Sequence, residues 1–226
     1  MNVQEATTRR LPDLKERHLP ENCRETINTI LKETYGYEQF RNLEIYDDLS
    51  KGKEKLCISQ GQLIENVILE AEKAWKGETQ VDNILLTAPT GSGKSLLFQL
   101  PAIYLGKEYN LLTIVVSPLK ALIVDQVESL QELGYTRVAY ASSDLSPEQK
   151  MEVYRQVREG EIDLFYLSPE LLLSYDIKHF VGERRIGLVV VDEAHTVTTW
   201  GKEFRVDYWF LGRYLTALKQ TLGYNF

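Results

Sequence analysis

A chain of 226 residues, 43% hydrophobic and 26% charged, can bury one substantial core and has the composition of a soluble globular protein. Its net charge of −7, from 26 basic and 33 acidic residues, excludes a domain dedicated to coating nucleic acid, so any such contact must be local. No apolar run approaches the roughly 18–20 residues that span a bilayer, and the N-terminal stretch MNVQEATTRRLPDLKERHLPEN lacks the apolar core of a secretory signal; no membrane partner is expected.

Residues 1–60 read as an N-terminal extension, polar with scattered charges and one amphipathic run from Cys23 to Tyr35. The aromatic cluster YGYEQFR (35–41) follows. Cys23 and Cys57 lie far apart without a CxxC partner, which offers neither a zinc site nor a disulfide framework and fits a reducing cytosol.

From about residue 61 onward, to residue 226, short apolar runs alternate with longer helical ones. NILLTA (83–88), LTIVVS (112–117), RVAYAS (137–142), DLFYL (163–167) and GLVVVD (187–192) have the Val/Ile/Leu content of strands covered on both faces. GQLIENVILEAEKAW, KSLLFQLPAIYL, LKALIVDQVESLQEL, SPEQKMEVYRQVREG and SPELLLSYDIKHF read as helices, two of them opening on a Ser-Pro pair. This alternation predicts an α/β fold, a mainly parallel sheet with helices on both faces.

TAPTGSGKS (87–95) directly follows the first predicted strand and opens a helix, the context that gives a glycine-rich loop its meaning. Gly91 and Gly93 let the backbone curl so that N–H groups, including those of Thr90 and Ser92, turn inward toward an anion, and the helix N-terminus adds its positive end. Lys94 would reach the β- and γ-phosphates of ATP, and the Ser95 hydroxyl would ligate Mg²⁺. Ala88 stands where the general pattern has glycine.

LVVVDEAH places Asp192 and Glu193 at the C-terminal end of an apolar strand, the edge where parallel sheets bind ligands. Asp192 can hold Mg²⁺ partly through water, and Glu193 can polarise the attacking water as general base. His195 is placed to report nucleotide state through a hydrogen bond.

With these two motifs and the segments between them, residues 35–215 resemble the first RecA-like motor domain of superfamily 2 DEAH-box helicases, and the RecQ family in particular. VVSPLKALIVDQV (115–127) resembles the RecQ motif Ia, which implies contacts to DNA phosphates by Ser117, Lys120 and Gln126. DLFYLSPELLL (163–173) is similar to motif Ib, with Ser168 and Glu170 near the same strand. TVTTWGKEFRVDY (196–208) resembles the aromatic-rich loop W-G-x-D-F-R-P-x-Y: Trp200, Gly201, Phe204, Arg205 and Tyr208 match, while Thr199, Lys202, Glu203 and Val206 depart. Exposed Trp and Phe there would stack on bases for about 1–3 kcal/mol each, and Arg205 would bridge to a phosphate or reach the ATP side.

The resemblance implies an ATP- and Mg²⁺-dependent DNA helicase moving 3′→5′ on single-stranded or partly duplex DNA, in the cytoplasm or nucleoid of a prokaryote. A second RecA-like domain, in cis or from a partner subunit, is expected to complete the ATP cleft with an arginine finger, without which the chain would not unwind DNA. The competing readings are a DEAH translocase on duplex DNA or RNA in a larger assembly such as a defence system, a non-catalytic ATP-binding module, and a small-molecule kinase. Retention of Lys94 and Glu193 speaks against the non-catalytic module, and DEAH with the Trp200 loop against the small-molecule kinase.

RecQ-like proteins carry an adenine-recognition segment F-G-Y-x-x-F-R-P-G-Q before the phosphate loop. Tyr37, Phe40 and Arg41 match its first half, which implies base stacking by Tyr37 and a purine-edge contact by Arg41. Gln39 lies 55 residues before Lys94, about twice the family's gap, whereas Gln62 lies 32 before it and fits the GQ half. The motif is therefore expected to be split by an insertion at 42–60, with Gln62 as the adenine contact and Gln39 a decoy.

Overall fold

A computed structural model describes residues 23–46, 55–86, 91–194 and 206–226. Helix α1 (Glu25–Tyr35) buries Ile27, Ile30 and Leu31 and ends at Gly36, whose φ of +69° supplies the left-handed cap that turns the chain toward Tyr37. The predicted insertion is an antiparallel hairpin, β1 (Asn42–Tyr46) and β2 (Lys55–Ser59), with Asn42 opposite Ser59. A hairpin returns the chain to where it left, so Arg41 and Gln60 are adjacent: the Gln60 N–H donates to the Arg41 carbonyl at 2.9 Å.

Helix α2 (Gln60–Trp75) leads to α3 (Leu96–Tyr109), which is apolar all round and accordingly sits inside, burying Leu97, Leu100, Ile103 and Leu105. Then follow β3 (Leu112–Val116), α4 (Lys120–Glu132), β4 (Val138–Ala141), α5 (Pro147–Arg158), β5 (Leu164–Leu167), α6 (Pro169–Ser174), α7 (Ile177–Val181), β6 (Ile186–Val191) and α8 (Val206–Leu222). The run at 168–180, read from sequence as one helix, is two, because Tyr175 adopts an extended conformation and the Asp176 carboxylate caps a new start.

Strands β4, β5, β3 and β6 form a parallel sheet in that order. Side chains alternate between its faces: Leu112, Ile114, Val116, Phe165 and Leu167 pack toward α5–α8, and Val115, Leu164 and Tyr166 toward α1–α4. The expected strand at 83–88 is not seen in its described part: Asn83–Leu86 form no strand and Leu85 is 71% exposed. Its remaining residues, Thr87 and Ala88, lie outside the described residues.

Arg24 ties α1 to α2 and α3. Its guanidinium donates to Glu65 and Glu72, each at 2.7 Å, and lies over the Tyr104 ring. Tyr109 adds a 2.8 Å bond to Glu72. This buried clamp fixes the direction in which α1 delivers the YGYEQFR segment. Cys23 and Cys57 are both free; burial, then the nearby Glu65 carboxylate, push the Cys23 thiol up to about 12.

Candidate nucleotide site

The loop leading into α3 has Gly91 at φ +81° and Gly93 at φ +78°, values that L side chains rarely adopt. At Gly93 there is a second reason: a Cβ would lie 2.7 Å from Gln60 Nε2. Ser95 stands at the α3 N-cap without spending its hydroxyl on a cap bond, beside the orphan N–H groups of the first turn. The Ser92 hydroxyl is buried and has no hydrogen-bond partner among the described residues. A loop of this kind fits a polyphosphate, and Ser95 with Asp192 is a donor set that fits Mg²⁺. Thr90 lies outside the described residues.

Asp192 leaves the C-terminal end of β6, and its N–H extends the ladder to Val116 O at 2.9 Å. Burial raises its pKa, and the neighbouring Glu193 charge adds to that. The Glu193 N–H, which donates to Asp192 Oδ1 at 2.9 Å, opposes it, as do the Lys94 ammonium and the Gln126 side chain. Lys94 and Asp192, 98 residues apart in the chain, are thus within electrostatic reach of each other. Glu193 itself is held at φ +50°, an uncommon backbone state for a residue with a side chain. His195 lies outside the described residues.

Beside the loop is a cavity of about 210 Å³ lined by Tyr35, Tyr37, Gln39, Arg41, Gln60, Gly93, Ser95, Leu96 and Gln99. It brings Tyr37 and Arg41 together with the loop residues Gly93 and Ser95. Gln62, expected as the adenine contact, does not line it. Its Oε1 accepts the Ser59 N–H at 3.1 Å while the Ser59 hydroxyl accepts backbone N–H groups in return, a capping box that starts α2. The spacing Ser59-x-x-Gln62 spells that box in the sequence.

The glutamine that faces the loop is Gln60, which is 2% exposed. Its Oε1 accepts the Arg41 N–H at 3.2 Å and its Nε2 donates to Ser92 O at 3.2 Å, so it staples the YGYEQFR segment to the phosphate loop. Gln39, set aside on spacing, also lines the cavity because the hairpin removes most of that spacing in three dimensions. Gln60→Ala should weaken nucleotide affinity about tenfold, because two backbone groups lose their partner. Gln62→Ala should cost about 1 kcal/mol of stability with affinity unchanged. Calorimetric titration and thermal unfolding of both variants separate the two roles; equal affinity losses would refute the assignment.

The residues expected on DNA divide. Ser117 follows β3, is 1% exposed and has no partner for its hydroxyl among the described residues, so it does not face solvent. Ser168 caps α6 by accepting the Leu171 N–H at 3.3 Å. Gln126 points inward to Tyr166 and Asp192, since it shares the α4 face of Ile123, Val127 and Leu130. Lys120 and Glu170 are exposed, Lys120 pairing with Asp144 at 2.7 Å. Trp200, Phe204 and Arg205 lie outside the described residues.

A parallel sheet flanked by helices, with a glycine-bent loop opening α3 and carboxylates at the end of β6, defines a RecA-like P-loop NTPase domain. The chain belongs to the DEAD/DEAH box helicase family, whose sequence profile matches residues 62–223. It is 34% identical over 202 residues to the ATP-dependent DNA helicase RecQ of Synechocystis sp. and covers 88% of this chain and 35% of that protein. It is 30% identical over 187 residues to RecQ of Haemophilus influenzae (83% of this chain, 25% of that one) and 32% over 180 residues to RecQ of Bacillus subtilis (80% and 25%). The chain therefore spans about a third or less of the length of these relatives.

Proposed function

We propose that the chain is the ATP-binding motor half of a DNA helicase that moves 3′→5′ on single-stranded DNA, working against a second RecA-like domain in cis or in a partner subunit. The observation that carries this reading is the approach of Lys94, on the phosphate loop, to Asp192, at the end of β6. Similarity to proteins named ATP-dependent DNA helicase RecQ supports the choice of DNA.

In this reading the loop N–H groups and Lys94 bind the phosphates, Ser95 and Asp192 hold Mg²⁺, and Glu193 takes a proton from water. Mg²⁺, when bound, neutralises charge on the β- and γ-phosphate oxygens. The cavity is smaller than the roughly 300 Å³ of a pocket for a whole drug-sized ligand, which suits one ring system with the phosphates outside along the loop. Tyr37 supplies a stacking face and Arg41 donors for the purine edge. The hairpin is an insertion that leaves the two halves of this subsite in contact.

The test, made with the second RecA-like domain present in cis or as a partner, compares ATP hydrolysis without nucleic acid and with single-stranded DNA, duplex DNA and RNA. Stimulation by single-stranded DNA above the others is expected, and Trp200→Ala should cut that stimulation about tenfold while sparing basal turnover. Preferential stimulation by duplex DNA or RNA would replace this reading with a translocase, and equal loss of basal and stimulated rates would make Trp200 a packing residue.

A further inference from the structure

Behind the cavity, polar side chains cross the interior in single file. The Tyr35 hydroxyl donates to Gln99 Oε1 at 3.0 Å, Gln99 Nε2 donates to the Tyr166 oxygen at 3.2 Å, and the Tyr166 hydroxyl donates to Gln126 Oε1 at 3.0 Å. Gln126 in turn hydrogen-bonds the Asp192 carboxylate. The first member belongs to the cavity wall, where the Tyr35 ring lies 6.4 Å from that of Tyr37 at an interplanar angle of 16°. Tyr166, in the middle, is 0% exposed.

The direction of every bond is dictated from one end. An ionised carboxylate only accepts, so Gln126 must turn its NH₂ to Asp192 and its oxygen to Tyr166. Tyr166 then has to donate onward and accept from the Gln99 NH₂, which leaves the Gln99 oxygen for Tyr35. Burial pushes both phenols above their ordinary range, so they remain protonated donors. No member can reverse without leaving a buried polar group unpaired, and such a file has two discrete states, intact or broken.

We propose that Gln99, Tyr166 and Gln126 are positioning residues that couple the base-side cavity to Asp192, so that a ring seated at Tyr37 and a cation held at Asp192 each strengthen the other's binding. This rests on the nucleotide reading above. Such coupling is reciprocal and is read as a ratio of affinities. Without the Tyr166 hydroxyl, both amides lose the partner that fixes their orientation. Gln126 can then present its oxygen to Asp192 and repel the carboxylate it was holding.

The experiment measures calorimetric affinities of the chain for ATP and for base-free tripolyphosphate, each with Mg²⁺ and with EDTA. In the wild-type chain Mg²⁺ should enhance ATP binding about tenfold more than it enhances tripolyphosphate binding. In Tyr166→Phe, and in the near-isosteric Gln126→Met, the two enhancements should become equal, and combining the substitutions should add nothing. Gln126, being only half-buried, decides the matter if Tyr166→Phe does not fold. A packing role would lower thermal stability and leave the difference between the ligands intact, which overturns the proposal, as would equal enhancements in the wild type. A wild-type chain that binds neither ligand overturns the nucleotide reading itself.

Discussion

Lys94→Ala should leave the protein without measurable ATP turnover, and Glu193→Gln should bind ATP as the wild type does yet turn it over about 10²–10⁴-fold more slowly. The two variants fail differently because, in the proposed reading, Lys94 binds the phosphates whereas Glu193 takes the proton from water. Lys94 is the ammonium of the loop and also the cation that offsets part of the Asp192 burial cost, so its loss removes ligand charge stabilisation and leaves a half-buried carboxylate less well balanced. Glu193 lies one residue beyond Asp192, at φ +50°, and its N–H donates to Asp192 Oδ1. Glutamine keeps the backbone, the size and that bond, and removes only the proton acceptor. Phosphate release and nucleotide binding measured on the same preparations separate binding from chemistry. Near-normal turnover by Glu193→Gln would exclude it as the base.

What could be read in advance, and what could not, follows from how local each signal is. The α/β alternation and the parallel sheet were legible because β3 and β5 are apolar at consecutive positions, as strands covered on both faces must be. The loop and the acidic strand end were legible because their chemistry needs particular residues next to each other. Gln60 was not, because its importance comes from a hairpin that closes on itself and brings residue 41 against residue 60. Two further signals are local and present in the sequence. Ser59-x-x-Gln62 is a capping box before it is anything else. Gln126 falls at helical spacing among Ile123, Val127 and Leu130, which places it on the inner face of α4, toward Tyr166. The strand expected at 83–88 shows the opposite limit: apolar composition alone does not make Asn83–Leu86 pair.

Asp163→Ala should lower the unfolding free energy by about 3–5 kcal/mol, a large part of the roughly 5–15 kcal/mol that holds a domain folded. Asp163, at the entry to β5, is 0% exposed and receives Arg137 Nε at 2.6 Å, Arg184 Nη2 at 2.9 Å and the Tyr135 hydroxyl at 3.1 Å. Gly106 of α3 makes room for it, since a Cβ there would lie 2.3 Å from the Asp163 Cγ. One carboxylate thus serves two guanidiniums, and they differ in what happens when it goes. Arg137 is 43% exposed at its side chain and can turn to water, whereas Arg184 is 4% exposed and cannot. Burial already pulls the Arg184 pKa below its ordinary value, with Asp163 opposing. The penalty should therefore come from Arg184, and Asp163→Leu combined with Arg184→Leu should recover most of the loss in urea unfolding, because an apolar pair carries no stranded charge. A double variant no more stable than Asp163→Ala would mean that packing around Gly106, and not charge, sets the cost. The same unfolding series bears on the site, for Asp163 immediately precedes β5 (Leu164–Leu167), which carries Tyr166, and loosening its entry loosens the middle of the file that ends at Asp192.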